Sequence, residues 1–186
     1  MSYKAVIIGG SAGSFQIITA LLSALPKNYS VPVILCLHRL KHIRKGFDDA
    51  LSIKSNMPII EPTDKEHLKP GFIYLAPANY HMYIELGGFI ALSTEPPVNH
   101  SRPSIDLSFA SAAYSYKNKL LGILLSGANK DGAYGLKRIK DEGGTVIVQD
   151  PKDAQVATMP ETALDILSPD YILSSKQIIE FLLKLK

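Results

Sequence analysis

The sequence has no tryptophan and a single cysteine, Cys36, set inside the apolar run VPVILCLH. One thiol excludes an internal disulfide framework and a cysteine metal cluster, so a reducing cytoplasm is the expected setting. No apolar stretch reaches the length needed to cross a bilayer, and the N-terminus shows no charged lead followed by an apolar signal segment. Repeats, low-complexity tracts and long polar linkers are missing too, which leaves no place to divide the chain. Residues 1–186 are therefore expected to form one domain, and the 46% of hydrophobic residues is enough to bury a core. The net charge is only +3, but HRLKHIRK at 38–45 gathers much of it in one block. That block reads either as a solvated loop or helix end, or as a face for an acidic partner.

The apolar pattern alternates between two periods. KAVIIG at 4–9 and PVILCLH at 32–38 are short continuous apolar runs, as in strands buried on both faces, and a helical segment over 14–25 separates them. FIYLAPA at 72–78, YHMYIEL at 80–86 and GFIALST at 88–94 follow, with Gly87 and Gly88 marking a hairpin between the last two. Ser104 precedes a helix with Asp106 in its first turn, and LLGILLSG reads as another buried strand. The helix GAYGLKRIKDEGG, the strand TVIVQD, a helix opened by Pro160 and a closing amphipathic helix complete the chain. The expected fold class is α/β: a doubly wound, mostly parallel sheet with an antiparallel β-hairpin insert and helices on both faces.

In such sheets function gathers at the carboxyl ends of the strands. Ser11 follows the first strand, His38 ends the second, and Asp131 lies in the loop after LLGILL, so all three are expected along one edge. A hydroxyl, an imidazole and a carboxylate placed together are the parts of a serine hydrolase. Ser11 is the expected nucleophile, His38 the base that takes its proton, and Asp131 the group that orients the imidazole. The backbone N–H of Ala12, in a turn entering a helix, is an expected oxyanion donor. GGSAG at 9–13 also fits G-x-S-x-G in its strand–turn–helix context. Blander readings stand beside these: Ser11 as a helix N-cap, His38 as an ordinary strand-end residue, Asp131-Gly132 as a plain turn.

A dinucleotide site in the same turn is disfavoured, because Ser11, Ser14 and His38 stand where two glycines and an acid would be required. The Walker pattern fails for want of Gly-Lys-Ser/Thr. No cofactor and no metal are expected, since His42, His67, His81 and His100 show no ligand spacing with an acidic third partner.

Taken in order, IGGSAGS, LH at the end of strand two, IYLAPANYHM, RPSIDLSFASAA, LLSGANKDGAYGLKRIKDEGGTVIVQD and ATMPETAL resemble the catalytic domain of the chemotaxis protein-glutamate methylesterases. The resemblance covers almost the whole chain. It implies hydrolysis of γ-glutamyl methyl esters on chemoreceptors with release of methanol, often with deamidation of receptor glutamines, through Ser11, His38 and Asp131 and an acyl-enzyme. The implied partners are the methylated cytoplasmic helix bundle of a chemoreceptor and a separate regulatory protein, with no nucleic acid and no membrane insertion. Ala128, Arg102 and Met159 lie in motifs near the family's site and are carried over as oxyanion or substrate-binding residues. Four positions depart from the family's pattern: Ala12 for threonine, Leu37 for glutamine, Ala128 for methionine and Lys130 for asparagine. The receiver domain usual ahead of the esterase is expected to be absent. The alternative reading is a weak or inactive module of the same fold that binds a receptor or partner.

Overall fold

The computed structural model describes residues 3–38 and 44–185. A seven-stranded sheet forms from β1 (Ala5–Gly10), β2 (Val33–Leu37), β3 (Ile59–Ile60), β4 (Ile73–Leu75), β7 (Leu120–Leu124), β8 (Thr145–Gln149) and β9 (Tyr171–Leu173). Its order is β3-β4-β2-β1-β7-β8-β9 and every pairing is parallel. β5 (His81–Glu85) and β6 (Phe89–Ser93) make a separate antiparallel ribbon whose turn carries Gly87 and Gly88, both at positive φ. The six helices described are α1 (Phe15–Ala24), α2 (Arg44–Lys54), α3 (Ile105–Tyr116), α4 (Ala133–Asp141), α5 (Thr158–Ile166) and α6 (Ser175–Leu183).

The continuous apolar runs of the central strands are explained by two cores, one on each side of the sheet. Ala5 and Ile7 of β1 face Phe109, Leu136 and Met159, from α3, α4 and α5. Val6 and Ile8 face Ile18, Leu22, Leu51 and Ile178, from α1, α2 and α6. Each of the larger side chains contributes roughly 1.5–3 kcal/mol when fully buried, which a strand with one solvated face could not collect on both sides.

Four elements depart from the sequence reading. α2, β3 and β9 were not anticipated, because α2 is a largely polar helix and the two strands are only two and three residues long. α5 begins at Thr158, so Pro160 is its third residue and not its first; the third N–H of a helix also lacks an intrahelical acceptor, so proline fits there. Residues 39–43 of the basic block lie outside the described residues, His42 among them.

Candidate active site at the carboxyl edge of the sheet

β1 is the switch point of the sheet, with β2 on one side and β7 on the other. Gly10 pairs with Leu37 and Gly9 with Leu124, so the residues that follow, Ser11, His38 and those from Leu125 onward, leave the sheet side by side. The Ser11 turn is tied on both flanks. On the β2 side the His38 N–H donates to Gly10 O at 3.3 Å; on the β7 side the Ser11 N–H donates to Ser126 O at 2.9 Å. Buried Ser126 also brings its Oγ to 2.8 Å from Ala12 O and accepts the Val156 N–H at 2.9 Å. Gly13 has to be glycine: its φ is +81°, and a Cβ there would lie 2.6 Å from Ser126 Oγ.

Ser11 does not cap α1. That position belongs to Ser14, whose hydroxyl turns back to donate to Ser11 O at 2.7 Å. The Ser11 hydroxyl is half-buried and has no hydrogen-bond partner among the described residues. The backbone N–H groups of Ala12 and Ala128, both at exposed residues, also meet no acceptor among the described residues.

His38 and Asp131 are brought together at 2.8 Å, Nε2 to Oδ2, with the imidazole 13% exposed and the carboxylate fully buried. Asp131 is no plain turn residue. Its Oδ2 also accepts the Ile105 N–H at 2.7 Å, and its Oδ1 accepts the Ser104 hydroxyl at 2.9 Å, the Asp106 N–H at 3.2 Å and the Asn99 amide at 3.3 Å. Burial pushes the Asp131 carboxyl up, but His38, the Ile105 N–H and the Ser104 hydroxyl outweigh it and hold the pKa below the usual value. An ionised Asp131 can only accept, so Nε2 carries the ring proton and donates it to this bond, and Nδ1 is left as the bare nitrogen. Ser101 Oγ stands 3.5 Å from that Nδ1.

Two residues carried over as substrate contacts are otherwise engaged. Arg102 donates from Nε and Nη2 to Asn79 Oδ1 at 3.2 and 2.6 Å, and from Nη1 to the carbonyls of Thr94 and Glu95 at 2.6 and 2.9 Å. It clamps two loops together. Met159 is fully buried, and a Cβ on Gly127 would meet its Cε at 2.4 Å, so it packs beneath the β7 loop. In this arrangement the Arg102 guanidinium is engaged with these loops and Met159 is buried.

The residues around Asp131 that the sequence did not single out come from a turn and a helix start. Val98 and Ser101 exchange backbone hydrogen bonds at 3.1 and 2.9 Å around Asn99 and His100, both at positive φ. This geometry swings the Asn99 amide over the carboxylate. The Asn-His pair inside PPVNHSRP is a turn signal that could have been read. His81 is buried and satisfied, with Nδ1 accepting the Ser104 N–H at 3.2 Å and Nε2 donating to Pro96 O at 3.0 Å.

A seven-stranded parallel sheet with helices on both faces, carrying a buried carboxylate bonded to an imidazole at its carboxyl edge beside a serine-bearing turn, defines the class: a doubly wound α/β protein. The CheB methylesterase family model matches residues 6–182, and the chain belongs to that family. It is 32% identical to the Thermotoga maritima CheB methylesterase catalytic domain, whose crystal structure superposes with a TM-score of 0.92 over 100% of both chains. A Leptospira interrogans relative, which bears the provisional name of protein-glutamate methylesterase/protein-glutamine glutaminase, is 40% identical over 100% of this chain and 96% of its own length. The Thermotoga maritima protein-glutamate methylesterase/protein-glutamine glutaminase is 32% identical over 100% of this chain and 55% of its own length.

Proposed function

We propose that this chain, acting as a single catalytic domain, hydrolyses the methyl esters of glutamate side chains on a chemoreceptor and deamidates receptor glutamines. The observation that carries the reading is the 2.8 Å contact of His38 with fully buried Asp131, made beside the Ser11 turn. Ser11 Oγ attacks the ester carbonyl while His38 Nδ1 takes the hydroxyl proton, and Asp131 stabilises the imidazolium through Nε2. The Ala12 and Ala128 N–H groups, which meet no acceptor among the described residues, receive the oxyanion. The tetrahedral intermediate collapses to an acyl-enzyme, and His38 returns the proton to the departing methoxide, releasing methanol. Water, activated by His38, then frees the glutamate carboxylate; a glutamine substrate would lose ammonia by the same route.

The setting consistent with this reading is the cytoplasm, where the receptor's helix bundle lies. Among the described residues no helix is long and apolar enough to cross a membrane. The basic run from Arg39 to Lys45, which follows His38 in the sequence, would favour an acidic stretch of the receptor. The test is methanol release from methylated receptor, followed with the appearance of free glutamate. Equal amounts of the two are expected; no methanol above the no-enzyme rate would contradict the reading.

A further inference from the structure

α3 and α4 start beside each other, and each begins with N–H groups that have no acceptor inside their own helix. They exchange aspartates to satisfy them. Asp131, just before the Gly132 cap of α4, gives Oδ2 to the Ile105 N–H at 2.7 Å and Oδ1 to the Asp106 N–H at 3.2 Å, at the start of α3. Asp106, in the first turn of α3, returns the favour: its Oδ1 accepts the Gly132 N–H at 2.9 Å and the Gly135 N–H at 2.7 Å. Asn99 joins the two, with Nδ2 3.0 Å from Asp106 Oδ2 and 3.3 Å from Asp131 Oδ1.

This arrangement is costly. Burial, and then the charge of Asp131, push the Asp106 carboxyl up to about 6. A neutral serine or asparagine could cap α4 without the repulsion. Beyond a cap, the carboxylate contributes a two-point hold on the loop that carries Asp131 and a second negative charge behind the imidazole. We propose that Asp106 is a positioning residue for the hydrolytic reaction: through Gly132, Gly135 and Asn99 it fixes Asp131, and through Asp131 it fixes the His38 ring with Nδ1 open to the nucleophile. The inference rests on the esterase reading. Among the described residues, the groups facing Asp106 are the backbone of Gly132 and Gly135 from α4, Asn99 from the turn, and Asp131 as the charged neighbour, with His38 beyond it.

The test compares wild type with Asp106→Ala and Asp106→Asn. It measures kcat and KM for methanol release against pH, and the low-field proton resonance of His38 Nε2–H. Asp106→Ala is expected to lower kcat by about tenfold to a hundredfold, the range a small misplacement of a catalytic group produces, with KM nearly unchanged and the resonance shifted or lost. Asp106→Asn keeps an oxygen acceptor for both glycine N–H groups but turns an amide NH2 toward the Asn99 NH2, so it is expected to recover part of kcat while moving the acid limb to lower pH, since an anion near the imidazolium is gone. Folded Asp106→Ala with wild-type kcat, pH profile and resonance would overturn the proposal. If Asp106→Ala does not fold, an unshifted acid limb in Asp106→Asn overturns it instead. A wild type that releases no methanol contradicts the esterase reading, and the resonance in the same variants still decides whether Asp106 holds His38.

Discussion

An imidazole accepts a proton only through a bare nitrogen, and the 2.8 Å bond from His38 Nε2 to Asp131 makes Nδ1 that nitrogen. Asp131 is held ionised for this by groups that oppose its burial, whereas nearby Asp106 is pushed the other way. The two therefore leave opposite marks on stability. Asp131 has a lowered folded pKa, so its contribution is present above the ordinary carboxylate pKa near 4 and is lost as pH falls below it. Asp106 has a raised one, so the native state binds its proton more tightly than the unfolded chain does. Its contribution favours folding in acid and is lost as pH rises from near 4 to about 6. Denaturant unfolding measured across that window should show a downward slope with rising pH from this group, and Asp106→Asn should remove it. An identical slope in the variant would contradict the assignment.

At the scale of elements, the α3–α4 crossing governs how closely Asp106 and Asp131 approach. Gly135 on α4 makes it possible: a Cβ there would lie 2.6 Å from Phe109 Cβ and 2.7 Å from Asp106 O. Propensity favours alanine over glycine inside a helix by about 1 kcal/mol. Contacts this short with backbone and the base of a buried side chain cost more, so Gly135→Ala is expected to destabilise by about 1–3 kcal/mol in equilibrium unfolding and to lower activity with it. A gain in stability would show that the crossing has slack.

This crossing also marks how far the sequence could be read. β1, β2, β7 and β8 announced themselves as apolar runs, and the Ser104 cap with Asp106 behind it marked the start of α3. What Asp106 touches was not legible, because its partners belong to another helix and depend on the interaxial approach that Gly135 allows. Pro160 suggested a helix start two residues late, since any of the first helical positions accepts a residue without N–H.

At the scale of the whole molecule, strand order does most of the work. Ser11, His38 and the Asp131 loop leave β1, β2 and β7, which are adjacent in the sheet, so residues 120 positions apart in sequence meet at one rim. That common edge follows from strand identity and the rule that sites form at carboxyl ends, which is why the sequence alone could place the three residues along it. Asn99 and Ser101 could not, because they reach the site through a turn whose two central residues take positive φ. Nor could the engagement of Arg102, which depends on Asn79 and two carbonyls beyond the β4 end and the β5–β6 ribbon. Ser101 Oγ stands 3.5 Å from His38 Nδ1 and Ser11 follows the neighbouring strand, so two hydroxyls have to be told apart, and the proposed nucleophile is Ser11.

The measurement that separates them is covalent labelling with a serine-directed fluorophosphonate, followed by peptide mass spectrometry of wild type and His38→Ala. The account predicts one adduct, on Ser11, formed by wild type and nearly abolished in His38→Ala. An adduct on Ser101, no adduct at all, or labelling of Ser11 that does not depend on His38 would contradict it.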